Sequence, residues 1–216
     1  MPLTLDRPAE LPVRKRHKVL AATLDRVMRY ERRAAEPEKK RKAAFQLDAK
    51  QKKLIPVVAQ LQENARPEVY AAFYVGLELA IAVTTTRLES SGRNIYGADP
   101  ASSWMNDGPF EELWEHPVTK ENFAWFWPHV VAGATSNGVG QKQLTSESLI
   151  AAANARGGAW LPEHNCAEGD VFFKELIAEA GSIWEAFYHY NGSGPAAERY
   201  ANDAVAVVGE MRERGL

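Results

Sequence analysis

The chain has 216 residues, 45% of them hydrophobic and 25% charged, an ordinary balance for a soluble globular protein. Its single cysteine, Cys166, excludes an internal disulfide framework, and no window offers ~18 consecutive apolar residues, which excludes a membrane-spanning helix. The net charge of -2 conceals an asymmetry: residues 1–70 hold 17 Lys+Arg against 9 Asp+Glu, and the remainder holds 9 against 19, a division that predicts two regions with different work.

The N-terminal stretch "MPLTLDRPAELPVRKRHK" has charges but no apolar run ahead of them, so the sequence predicts no secretory leader. Residues 14–36 place Val19, Leu20, Leu24, Val27 and Met28 at helical spacing. After Pro37 a second basic helix is expected from Glu38 to about Asn64, with Pro56 able to kink it. Its runs "EKKRK" and "KQKK" suit either a solvated helix face with pairs such as Glu38–Lys42 or an anionic wall or membrane surface. Few aromatics interleave with these charges, which argues against a nucleic-acid platform. Residues 1–66 are therefore read as a basic helical segment, and 67–216 as the main domain.

Pro67 fits the first turn of a new helix. From Glu68 to Leu88 the chain reads "EVYAAFYVGLELAIAVTTTRL". Apolar residues face nearly every direction, as in a helix buried on most sides, so this is expected to be one central helix ending near Gly92. At its C-terminal end stands a carboxylate, Glu89. Burial and the negative end of the helix dipole both disfavour its ionised form and should raise its pKa, which is what a general acid needs. The alternative is an i,i+4 pair with Arg93, made less favourable by the Ser-Ser-Gly break.

Glycoside cleavage often uses two carboxylates. Glu78 stands eleven residues before Glu89, or roughly 16 Å along a helix, beyond the ~6.5–9.5 Å that inverting glycosidases use. Glu78 is thus expected to be a satisfied core or interface acid. Asp99 and Asp107, on the loop that follows, remain candidates for a second carboxylate.

Residues 96–140 are rich in Pro, Gly, Asn and Asp and hold Trp104, Trp114, Trp125 and Trp127. Long irregular stretches of this kind are usually functional, and tryptophans there serve either a core or the stacking of sugar rings. Helices are then expected over "VTKENFAWFW" from Thr119, over "TSESLIAAANARG" from a Thr145 or Ser146 cap, and over "DVFFKELIAEAG" from Asp170 to Gly181. Two more cover "SIWEAFYHYNGSG" and "AAERYANDAVAVVGEMRERG". No alternating strand pattern appears, a short hairpin in 96–118 aside. The fold class is mainly α. There is no phosphate-cradling glycine loop, no nucleophile elbow and no paired Cys or His spacing for a metal, so neither a metal nor a cofactor is expected.

Three segments, "RLESSGRNIYGADP", "NGVGQKQLTSESLIAAAN" and "YNGSGPAAERYANDAV", stand in the order seen in lysozyme-like peptidoglycan-cleaving domains. Over roughly 76–216 the chain most resembles the glycosidase domain of lysin A endolysins from phages of mycobacteria and related actinobacteria. Its tail also resembles the last helix of goose-type lysozymes. The resemblance implies a lysozyme-like domain with Glu89 as the catalytic acid and Ser91 beside it in the acid motif. Gly140 and Gln143 match a segment whose glutamine lines the sugar groove. Tyr190 and Asn191 match a pair near the acid, with the Tyr hydroxyl orienting it. Lys142 departs from the pattern, replacing a small or apolar residue, and the insertion from Asp99 to Val118 is longer than in most relatives.

Read on their own, Gln and Asn amides suit the N-acetyl and hydroxyl groups of a glycan, while Tyr190 could equally be core and Gln143 a helix cap. The implied activity is cleavage of the bond from N-acetylmuramic acid to N-acetylglucosamine in peptidoglycan, as a lytic transglycosylase or a muramidase. Such an enzyme waits in the host cytoplasm for release to the wall, or rides in a virion. The competing reading is a non-catalytic wall-binding or virion structural protein with the same fold.

Overall fold

The computed structural model describes residues 46–97, 113–131 and 138–216. The helix expected over 14–36, the "EKKRK" run, Trp104, Asp99 and Asp107 lie outside the described residues. Within them the protein is mainly α-helical, with eight helices and no sheet. They are α1 (Ala49–Val58), α2 (Ala65–Val75), α3 (Leu79–Ser90), α4 (Lys120–Val131), α5 (Glu147–Ala155), α6 (Pro162–Ala180), α7 (Ile183–Tyr190) and α8 (Pro195–Glu213). Pairing among the described residues is limited to isolated bridges that gather Ile95, Tyr96, Trp114, Pro117, Val139 and Leu144. None of the described helices is long and apolar enough to cross a membrane.

The central segment is two helices, not one. Gly76 takes a left-handed conformation, φ 73°, and caps α2 through its N–H on the Ala72 carbonyl; Glu78 is then extended before α3 begins. A glycine enters that conformation without steric cost, so the break falls where the apolar run holds its one glycine. What the expectation had right is α3 itself, in which every residue from Leu79 to Thr86 is buried. Thr84 and Thr85 turn their hydroxyls onto the Ala80 and Ala82 carbonyls, at 2.7 and 2.8 Å, so polar side chains enter the core already satisfied.

Around α3 lies the main core. Val69, Tyr70 and Ala72 of α2, Phe173 of α6, Phe187 of α7 and Ala201, Ala204, Val208 and Met211 of α8 meet there. Leu47 and Val58 belong to the same core, and Glu63 N–H reaches the Ser91 carbonyl at 3.0 Å. The stretch 47–66, expected to be part of a separate basic segment, is therefore built into the domain. α1 itself is shorter than expected and runs through Pro56; Asp48 starts it with a reciprocal capping box to Gln51.

A second core holds Tyr96, Phe123, Phe126, Val130, Val139, Leu144, Ile150 and Ala153, with Trp127 and Trp160 packed against it. α4 starts as expected at Thr119, whose hydroxyl accepts from Asn122 N–H. Ser146 caps α5, Ser182 caps α7, and Gly181 ends α6. Asp170 does not begin α6. That helix starts eight residues earlier, at Pro162, and Asp170 is fully buried in its middle. The glycine before it, Gly169, is no breaker: a Cβ there would collide with the aliphatic stem of Lys142.

Candidate active site

α3 ends at Ser90, and Ser91 caps it in a left-handed conformation with its N–H on the Arg87 carbonyl. The last turn therefore carries Glu89 half-buried at the C-terminal end of a helix whose first eight residues are in the core. Arg93 does not fold back to it. Its Nε donates to the Ser90 carbonyl at 3.2 Å, and its guanidinium faces Glu115.

The group that does meet Glu89 comes from α8. Tyr200 donates its hydroxyl to Glu89 Oε1 at 2.8 Å. Burial raises the Glu89 pKa; the Tyr200 hydrogen bond and the charge of Lys142 oppose it, and the net direction is upward. A carboxyl placed this way keeps its proton to higher pH than an ordinary glutamate, while a hydroxyl stands ready to stabilise the carboxylate left when the proton departs. Tyr200 stacks on Tyr190, with ring centroids 6.3 Å apart and planes 17° from parallel. The Tyr190 hydroxyl does not orient the acid; it donates to the Lys142 carbonyl at 3.3 Å.

Opposite these aromatics runs the segment 138–144, pinned from several sides. The Asn165 amide of α6 donates to the Val139 carbonyl at 2.7 Å and accepts from Lys142 N–H at 2.8 Å. Gly140 lies so close to that amide that no side chain fits between them, and its N–H reaches the Ile95 carbonyl. Ser90, next to the acid, donates its hydroxyl to the Gln141 carbonyl at 2.7 Å. Gln143 turns its amide nitrogen inward, onto the carbonyls of Gly140 at 2.6 Å and Ile95 at 3.1 Å, and its side-chain oxygen crowds Gly97 and Gly138. Its Nε2 is thus engaged in holding the segment together.

Beneath lies a buried ionic cluster. Lys142 Nζ sits 2.8 Å from Glu68 Oε1 of α2 and 2.7 Å from Asp170 Oδ1 of α6, all three side chains essentially inaccessible. The ammonium also donates to the Ala82 carbonyl and to Thr85 Oγ1 of α3, both at 2.7 Å, while Thr86 donates its hydroxyl to Glu68 Oε2. Burial alone would pull the ammonium pKa down, but Asp170 and Glu68 outweigh it and hold Lys142 above its ordinary value. The Asp170 carboxyl is pushed up to about 7 by burial, against the pull of Lys142. Burial likewise pushes the Cys166 thiol up, which marks it as an inert core residue.

The structure thus brings Glu89, Tyr190, Gly140 and Gln143 into one connected region. Ser91 is exposed at the helix cap, and Asn191 is the exposed cap of α7. Glu78 lies at the other end of α3, paired on the surface with Arg212 through contacts of 2.6 and 2.8 Å. Trp125 is 43% exposed, whereas Trp127 packs against the second core. The residues not anticipated in functional roles are Tyr200, Lys142, Glu68, Asp170 and Asn165. Four of them left a trace in the sequence: Tyr200 stands within the "YNGSGPAAERYANDAV" segment, Lys142 departs from the resembled pattern, and Glu68 and Asp170 are acids that directly precede apolar runs.

No family model, no curated protein and no solved structure matches this chain.

Proposed function

We propose that this protein has a lysozyme-like fold and is a peptidoglycan-cleaving glycosidase of the endolysin type, cutting the bond from N-acetylmuramic acid to N-acetylglucosamine with Glu89 as its general acid. One observation carries the reading: a half-buried carboxyl at the end of a core helix, its pKa raised by burial, bonded by the Tyr200 hydroxyl at 2.8 Å. The three sequence segments that resemble lysin A glycosidase domains support it, because each contributes to one region: Glu89 from the first, Gln143 from the second, and Tyr190 and Tyr200 from the third.

In this mechanism Glu89 donates its proton to the glycosidic oxygen as the bond to the muramyl anomeric carbon breaks, and the leaving sugar departs as an alcohol. The Tyr200 hydroxyl bonds the resulting carboxylate, so the interaction strengthens as charge develops. The carboxylate then accepts a proton from one of two nucleophiles. The muramyl C6 hydroxyl gives a 1,6-anhydro product, the transglycosylase outcome, and water gives hydrolysis. The second course gains from a further carboxylate, for which Asp99 and Asp107 are the candidates. Glycan strands of the cell wall are the partner. Residues 1–66 carry the positive charge that an anionic wall or membrane surface would attract. The enzyme acts after release from the host cytoplasm or from a virion.

Zymography on purified peptidoglycan tests the reading. Wild type should clear the substrate and Glu89→Gln should not; equal clearing by both removes Glu89 from the chemistry, and no clearing by wild type favours a wall-binding protein.

A further inference from the structure

Lys142 is the one place in the "GQKQLT" segment where a long cation stands among buried groups, and its contacts close a ring around the acid. Glu89 accepts from Tyr200; Tyr200 stacks on Tyr190; Tyr190 donates to the Lys142 carbonyl; the Lys142 ammonium donates to Thr85. Thr85 is four residues before Glu89 on α3, and residues so spaced lie one above the other on the same helix face, roughly 5–6 Å apart. The ammonium therefore grips α3 one turn beneath the acid. Resting on the proposed glycosidase reading, we infer that Lys142 is a positioning residue for Glu89: it locks the 138–144 segment to the end of α3 and sets a buried positive charge behind the acid.

A merely structural filler would not need a charge. A long apolar side chain fills the same channel between Gly169 and α3 without burying an ammonium and two carboxylates, and such replacements are often neutral or stabilising. The cluster instead recruits groups from three elements: Glu68 from α2, Asp170 from α6, and Thr85 with the Ala82 carbonyl from α3. Among the described residues, other polar groups reach the acid region from the neighbouring helices. Tyr200 comes from α8 and Tyr190 from α7, and Arg87 on α3 itself turns to Glu210 of α8. Among the described residues, Lys142 is a cation whose charge reaches Glu89, favouring the carboxylate that proton donation leaves behind.

The test reads Glu89 directly, without depending on lysis. The protein is labelled with carboxyl-13C glutamate, the Glu89 resonance is identified by its loss in Glu89→Gln, and its titration midpoint is measured in wild type and in Lys142→Met. Because the single variant strands two buried acids, the double variant Glu68→Gln/Lys142→Met, which leaves only Asp170 to take up a proton, serves as the second arm, with amide spectra reporting that the fold is kept. The expected result is a Glu89 midpoint displaced to higher pH in whichever variant folds. On peptidoglycan, kcat should fall by about tenfold with KM little changed, since a displaced acid loses reactive geometry and not substrate contacts. An unmoved midpoint in a folded variant overturns the assignment of Lys142. Absence of lysis by wild type overturns the glycosidase reading, while the titration still decides whether Lys142 acts on Glu89.

Discussion

Two glutamates flank the same helix and have opposite fates. Glu78 caps the N-terminal end of α3 on the surface, where the Arg212 guanidinium binds it through both carboxylate oxygens and, chiefly by that hydrogen bonding, holds its carboxyl below the usual range. Glu89 occupies the C-terminal end, half-buried, with a neutral hydroxyl as its hydrogen-bond donor and burial pushing its carboxyl the other way. The two residues share a side chain and a helix. What differs is solvent, the sign of the nearest helix end and the charge of the nearest donor. One site favours the ionised carboxyl, the other the protonated one.

The contrast can be broken most strongly at the donor. Tyr200→Phe leaves the stacked ring but takes the hydroxyl from the carboxylate. A hydrogen bond to a charged group is worth roughly 1.5–3 kcal/mol, so kcat on peptidoglycan should fall by about 10- to 100-fold. That bond lowers the Glu89 pKa, so its loss also moves the alkaline limb of the pH–rate profile upward; an unchanged rate would show that the hydroxyl has no part in the reaction.

Asp170 sharpens the contrast through stability. Burial pushes its carboxyl up from an ordinary 3.8 to about 7 in the folded protein, against the pull of Lys142. Between those values the folded state binds more protons at this site than the unfolded state does, so this contribution to stability is full at low pH and declines as pH rises toward 7. Denaturant titrations of wild type at about pH 4 and pH 7 should show that decline, and Asp170→Asn should flatten it; an identical slope in both proteins would exclude Asp170 as its source.

The smallest effect belongs to Glu78→Gln. It removes an exposed pair of a kind worth about 0–1 kcal/mol and should change the melting midpoint by at most about 4 °C while leaving cleavage intact. A loss of activity on the scale of a Tyr200 variant would erase the distinction between the two ends.

These two ends were not equally legible. Burial of α3, its stop at Ser-Ser-Gly and the raised carboxyl of Glu89 follow from apolar patterning and helix electrostatics, which are local properties of the sequence. So do the caps at Thr119 and Ser146. The break at Gly76 was signalled by its glycine and outweighed by the apolar run around it. The early start of α6 was hidden because Asp170 has the composition of a cap and the burial of a core residue. Distinguishing these requires knowing that Lys142 lies across from it, a contact between residues 28 apart in sequence. The exchange of roles between Tyr190 and Tyr200 is of the same kind. Both tyrosines stood in the segment that carries the family resemblance, and only the crossing of α7 and α8 decides which hydroxyl reaches the acid.

The most direct test is the fate of the glycosidic bond. Purified peptidoglycan is digested with wild type and with Glu89→Gln, and the soluble fragments are identified by mass spectrometry. Wild type should release fragments cut between N-acetylmuramic acid and N-acetylglucosamine, with 1,6-anhydro ends if Glu89 also serves as the base. The variant, folded to the same circular dichroism spectrum, should release them at a rate lower by about 10²- to 10⁴-fold. Equal release of these fragments by both proteins would contradict the assignment of Glu89.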